Sequence, residues 1–213
     1  MTYTTLFFDL DDTLYSQSCG LWPAIGKRID LYIRNNFNIP EDQINSYRIN
    51  LYKKYGTTLR GLKHIYGINE DDYLDFVHDV PLEDYINYDS RLRNILNSYS
   101  QDKWIFTNAD DRHAKRVLNV LRISDCFTGI IDIKKISPYC KPQTEAYNIA
   151  LNIVGLTNPK ECVFIDDRDV NLDPAKEIGF YTILIDQNNT SNNHHTHIQS
   201  LLELPSVLKN TNY

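Results

Sequence analysis

The chain has 213 residues, which suits one domain with a sizeable insertion or two small domains, and is long enough to bury a real core. Lys and Arg number 22 against 28 Asp and Glu, a net charge of −6 with no basic run, which argues against a nucleic-acid polymer as partner. There is no apolar run of about 18 residues and no secretory leader pattern at the N-terminus, so a cytoplasmic protein without a membrane span is expected.

In chain order, Leu6 to Phe8 form a short apolar run of the kind that makes a fully buried strand. Asp9, Asp11 and Asp12 follow immediately. Carboxylates crowded at the end of a buried strand repel one another and lose hydration, so they need a cation, a proton or structured donors between them. Asp9 and Asp11 therefore read as a metal-dependent catalytic pair, against the plainer reading of an acidic strand-to-turn junction. From Ser16 to Tyr85 no buried strand is evident. Apolar residues recur instead at helical spacing: Leu21, Ile25, Ile29 and Ile33; Ile44, Tyr47, Leu51 and Tyr55; Leu59, Leu62, Ile65 and Tyr66. Breaks at Asn38–Glu41, Gly56–Thr57 and Gly67–Glu70 divide the segment into about four helices.

After Asp89 strands and helices alternate. A helix is marked by Leu92, Ile95 and Leu96, a strand by Trp104 to Thr107, a helix by Ala109 to Leu121 and a short strand by Gly129 to Asp132. A helix over Glu145–Val154, a strand over Cys162–Ile165, a helix over Asn171–Ile178 and a strand over Tyr181–Ile185 follow. The polar stretch Asn188 to His197 reads as a loop, with His194, His195 and His197 solvated rather than metal-bound, and Leu201, Leu202 and Leu204 as a short helix packing back. Alternation of this kind predicts an α/β fold, a doubly wound parallel sheet with an all-helical cap inserted after the first strand. The expected domains are 1–15 with 86–213 for the core and 16–85 for the cap. Cys19, Cys126, Cys140 and Cys162 are far apart, show no metal spacing and read as free thiols.

Three further sites fall at the carboxyl ends of predicted strands or in the loops beyond: Thr107-Asn108, Lys141-Pro142 and Asp166-Asp167. Carboxylates, a hydroxyl, an amide and one cation on a common rim are what phosphoryl transfer demands: charge compensation, donors for the phosphate oxygens and an in-line nucleophile. Taken in order, Asp9-Leu10-Asp11-Asp12-Thr13, Thr107-Asn108, Lys141 and Asp166-Asp167 match the four motifs of the haloacid dehalogenase (HAD) superfamily of phosphatases. The segments Tyr55–Leu62, Trp104–Asp110 and Pro138–Pro142 resemble its pyrimidine 5′-nucleotidase branch from fungi and plants.

The resemblance implies a Rossmann-like core and a set of roles. Asp9 would be the nucleophile forming an aspartyl phosphate, and Asp11 the general acid and base. Mg²⁺ would be held by Asp9, the backbone carbonyl of Asp11 and an acidic residue of the last motif, Asp167 first and Asp166 second. Lys141 would neutralise the phosphate and orient Asp9, while Thr107, the Asn108 amide and Thr13 would contact the phosphoryl group. Asn171 would bond a ligand carboxylate, and Arg60, His64 and Tyr66 of the cap would face the leaving group. Arg168 stands where the branch often has serine and is expected in solvent. The implied partner is a small phosphorylated metabolite, foremost a pyrimidine nucleoside 5′-monophosphate, handled by a monomer or homodimer. The alternatives are a sugar-phosphate phosphatase, a phosphomutase, and a Mg²⁺-dependent phospho-acceptor or binding module without turnover.

Overall fold

Thr5–Phe8 is apolar at every position but its first and is buried throughout, so it becomes the inner strand β1 of a parallel sheet, shielded on both faces. The structure, a computed structural model, describes residues 3–187 and 194–209. With β2 (Asp102–Phe106), β3 (Gly129–Ile131), β4 (Cys162–Asp166), β5 (Tyr181–Ile185) and β6 (Thr196–Ile198), the sheet runs in the order β3-β2-β1-β4-β5-β6. Every pairing is parallel, and Phe7 lies level with Trp104 on one side and Phe164 on the other. All carboxyl ends therefore share one edge. Gly129 is required here, because a Cβ at that position would meet the Trp104 ring at 2.4 Å.

The chain divides into two compact units, Met1–Cys19 with Ile86–Tyr213, and Gly20–Tyr85. The second contains four helices, α1 (Leu21–Asn36), α2 (Ile44–Tyr55), α3 (Thr58–Tyr66) and α4 (Glu70–Val77). Their starts and stops follow local chemistry. Thr57 caps α3 by accepting from the Arg60 N–H, Asn69 caps α4 by accepting from Asp71 and Asp72, and Gly67 ends α3 at φ +65°. Helices α2 and α3 pack so closely that a Cβ on Gly61 would lie 2.8 Å from Leu51. Ser16–Cys19, expected in the insertion, belong instead to the core unit. Ser16 bonds Gln187 at 3.0 Å and Gln17 bonds Asp167 at 3.2 Å, long-range ties that helical periodicity does not reveal.

Around the sheet lie α5 (Ser90–Ser98), α6 (Asp111–Val120), α7 (Thr144–Ile153), α8 (Asp169–Ile178) and α9 (Leu204–Val207). Phe7, Phe106, Tyr147, Phe164 and Phe180 form the aromatic centre of the core. Each such ring contributes about 1.5–3 kcal/mol by leaving water. Tyr147 also donates its hydroxyl to the carbonyl of Asn171 at 2.5 Å, tying α7 to the start of α8.

The stretch expected to be a solvated loop up to His197 ends in β6, and residues 188–193 lie outside the described residues. Only Ile198 in β6 is apolar, so periodicity had nothing to register; pairing with β5 makes the strand. His195 is buried too, bonded to Thr182 at 2.8 Å and Asp173 at 3.1 Å, while His194 is exposed.

Candidate active site

Strand order reverses at β1, which has β2 on one side and β4 on the other, and in open α/β sheets the crevice beyond that point receives ligands. Asp9 is the first residue past β1, its N–H donating to Ile165 at 2.8 Å. Asp166 ends β4 and Asp167 follows. Lys141 arrives from the loop before α7. Its Nζ donates to Asp9 Oδ1 at 2.6 Å and to Asp166 Oδ2 at 2.8 Å, with the side chain 1% exposed. Phe106 and Phe164 flank the ammonium, their ring centroids 5.3 and 5.1 Å away. Asn108 fixes the backbone of Lys141 through a reciprocal pair: its Nδ2 donates to the Lys141 carbonyl and its Oδ1 accepts from the Lys141 N–H, both at 2.9 Å. Thr107 is buried, and its hydroxyl oxygen accepts from the Ala109 N–H, shaping the turn past β2.

The charges do not balance. Asp9, Asp166 and Asp167 bring ligand oxygens within 4.8 Å of one another, with Lys141 bonded to Asp9 and Asp166. Burial pushes the Asp9 carboxyl up to about 7, Lys141 pulling it down and Asp166 pushing it further up. Burial, then Asp166, Asp9 and Asp12, push Asp167 up to about 8. Asp12 rises to about 6 through burial and the neighbouring Asp11. Burial alone would lower the Lys141 ammonium, but Asp166 and Asp9 outweigh it and hold it above the ordinary lysine value. A set of oxygens so short of positive charge fits a hard divalent cation. The two last-motif acids differ. Asp166 is saturated by Lys141, Asn171 at 3.0 and 3.1 Å and the Arg168 N–H at 2.9 Å, whereas Asp167 accepts from Gln17 Nε2 at a longer 3.2 Å. Asp167 is thus the better placed to accept a cation, with Asp166 orienting the lysine. Arg168 is exposed.

Asp11 is 13% exposed at its side chain, and its Oδ1 is met by the Tyr15 hydroxyl at 2.6 Å and by His113 Nε2 at 2.9 Å. Burial and then Asp11 keep the Tyr15 phenol protonated far above its usual range. Asp12 takes a left-handed φ of +60°, which aspartate tolerates, and turns the chain after Asp11. Its Oδ1 and the Thr13 hydroxyl are buried without a hydrogen-bond partner, two polar atoms at the motif that a ligand group would satisfy.

Asp9, Asp11, Thr13, Thr107, Asn108, Lys141, Asp166 and Asp167 all belong to the core unit. Arg60 and His64 belong to the helical unit, where Arg60 pairs with Glu70 at 3.1 Å and His64 is exposed beside the Tyr55 ring. Tyr66, also exposed, stacks on Phe37 with centroids 4.2 Å apart. Sequence reasoning missed Tyr15, Gln17 and His113. For His113 a signal exists, since it shares the inward face of α6 with Ala114, Val117 and Leu118 and is the polar member of that set.

A family model described as haloacid dehalogenase-like hydrolase matches residues 3–179. The chain is similar to "Phosphate metabolism protein 8" of Saccharomyces cerevisiae, 30% identical over 189 residues, covering 81% of this chain and 58% of that protein. In fold it is similar to YfnB of Bacillus subtilis, solved bound to magnesium, at TM-score 0.66 and 18% identity over 98% of this chain and 100% of that one. It is likewise similar to a HAD phosphatase of Thermococcus onnurineus, at TM-score 0.64 and 17% identity over 99% of each chain. The L-2-haloacid dehalogenase of Xanthobacter autotrophicus, solved with chloropropionic acid covalently bound, has TM-score 0.62 and 13% identity over 99% of this chain and 100% of that one. Among the described residues no helix is long and apolar enough to cross a membrane. With the family model covering the central sheet from β1 to the end of α8, this chain belongs to the haloacid dehalogenase-like hydrolases.

Proposed function

We propose that this chain is a Mg²⁺-dependent phosphomonoesterase acting on a small phosphorylated metabolite, with a pyrimidine nucleoside 5′-monophosphate as first candidate. The observation that carries the reading is the buried ammonium of Lys141 bridging Asp9 and Asp166 while Asp167 stands beside them, a set suited to a dianionic ester together with a divalent cation. Asp9 and Asp167 and the Asp11 carbonyl would hold the ion. When bound, it supplies positive charge to the phosphoryl oxygens. Lys141 orients the Asp9 carboxylate for attack on phosphorus, and Asp11 serves the proton transfers. A magnesium-bound fold relative and a yeast relative named for phosphate metabolism support the class. The three segments similar to the fungal and plant nucleotidase branch support the substrate. The enzyme would act in the cytoplasm on a diffusible ester, as monomer or homodimer, without nucleic-acid polymer or membrane.

The dehalogenase among the fold relatives raises a second reading, halide displacement from a 2-halo acid. Two features disfavour it. A halide leaves without a proton, which gives Asp11 no task as an acid in the first step, and three clustered carboxylates call for a divalent cation, which halide displacement does not need. The deciding experiment is a panel of nucleoside monophosphates, sugar phosphates and 2-chloropropionate with purified protein and Mg²⁺, ranked by kcat/KM. Phosphate release, highest for pyrimidine nucleotides, is expected. Halide release without phosphate release would reverse the assignment, and turnover dependent on a bisphosphate activator would mark a phosphomutase.

A pH dependence follows from the crowded carboxyls. Asp9 at about 7 and Asp167 at about 8 retain protons in the folded chain that the unfolded chain has already released. Their contribution to stability therefore falls as pH rises from about 4 to about 8, and a cation that takes the place of those protons restores it. The rise in Tm on adding Mg²⁺ should be small near pH 5.5 and larger near pH 8. Asp167→Asn should flatten that difference. An equal Mg²⁺ shift at both pH values would refute it.

A further inference from the structure

We propose that His113 and Tyr15 are positioning residues that together aim the Asp11 carboxyl for its two proton transfers. The inference deepens the phosphatase reading and rests on it. Both contacts fall on one atom: the Tyr15 hydroxyl lies 2.6 Å and His113 Nε2 2.9 Å from Asp11 Oδ1. They come from separate places in the chain, Tyr15 from the turn four residues beyond Asp11 and His113 from α6, 102 residues away. The His113 side chain is fully buried, on a helical face otherwise made of Ala114, Val117 and Leu118. An imidazole there loses its hydration, which a hydrogen bond to a carboxyl offsets. Two partners on one oxygen restrict rotation of the carboxyl about its terminal bond, where a lone carboxyl would swing broadly. The remaining oxygen then has a set direction. A purely architectural role, in which His113 simply fastens α6 to the turn, accounts for neither the shared oxygen nor the second partner.

The chemistry separates the two roles. In the first step an Asp9 oxygen bonds to phosphorus, the ester P–O bond breaks, and the departing oxygen takes a proton from Asp11. In the second, water oxygen bonds to phosphorus and its proton passes to the Asp11 carboxylate. The P–O bond to Asp9 breaks, which regenerates that carboxylate and releases inorganic phosphate. A p-nitrophenyl ester departs as a stable phenolate and needs no proton in the first step, but still needs Asp11 in the second.

The test is stopped-flow turnover of p-nitrophenyl phosphate with Mg²⁺ by wild type, His113→Phe, His113→Gln and Tyr15→Phe, each checked for folding by thermal melting. Losing either donor should leave the nitrophenolate burst within about threefold of wild type while steady-state turnover falls about 10- to 100-fold, part of what acid–base catalysis supplies. His113→Gln, which keeps an N–H donor, should recover most of the steady-state rate. Burst and steady state slowing together, neither slowing, or His113→Gln doing no better than His113→Phe would overturn the assignment. Should His113→Phe fail to fold, Tyr15→Phe, which removes a single hydroxyl, decides by itself. A wild type that turns over no phosphate ester sinks the phosphatase reading, and this inference with it. An active wild type with unaltered variants sinks this inference alone.

Discussion

Asp9→Asn is expected to reduce turnover by about four orders of magnitude or more while leaving the fold intact, because the amide cannot attack phosphorus and no neighbouring group can take its place. Asn keeps the size of the side chain and an oxygen able to accept from Lys141 Nζ, a contact of 2.6 Å in the native chain. Burial already pushes the Asp9 carboxyl up to about 7, so neutralising it relieves repulsion with Asp166 instead of creating a defect. The variant should melt no lower than wild type without Mg²⁺ and gain less from added Mg²⁺. Phosphate release and thermal melts measure both. Turnover within tenfold of wild type would remove Asp9 from the nucleophile's role, and a much lowered Tm would mean that its charge stabilises the fold.

Lys141→Met should have the largest effect on stability. The lysine side chain is 1% exposed and bonds Asp9, 12% exposed, and Asp166, 0% exposed. Methionine fills much of the volume between Phe106 and Phe164 but leaves two buried carboxylates without their cation. Removing one partner of a buried ion pair costs about 3–5 kcal/mol, which for a chain of this size lowers Tm by roughly 10 °C. Activity should be lost as well, since Asp9 is then neither oriented nor compensated. The double variant Lys141→Met with Asp166→Asn should regain most of the stability and none of the activity, which separates the two contributions in one cycle. A single variant that melts with wild type would mean that the interior accommodates those carboxylates by other means.

Much of this molecule was legible in the residues alone. Parallel strands buried on both faces read as unbroken apolar runs, so Leu6–Phe8, Ile105–Phe106 and Val163–Ile165 stood out, and the polar residues that follow them stood out by contrast. The helical insertion showed in its 3.6-residue rhythm, with Leu21, Ile25, Ile29 and Ile33 all buried in α1. Asn171, expected to bond a ligand carboxylate, donates its Nδ2 to both oxygens of Asp166.

The residues by themselves determined the order of strands and helices and the chemical kinds of group at each strand end, because both depend on local patterns of apolar burial and charge. Tertiary structure alone decided who meets whom. Asp166 and Asp167 are adjacent in sequence, yet one is saturated by Lys141 and Asn171 while the other faces Gln17, 150 residues away. Asp11 meets His113 across 102 residues, and β6 exists because β5 offers it an edge. Contacts of that kind follow from the strand order and from which face each helix turns inward, and no window of neighbouring residues contains that information.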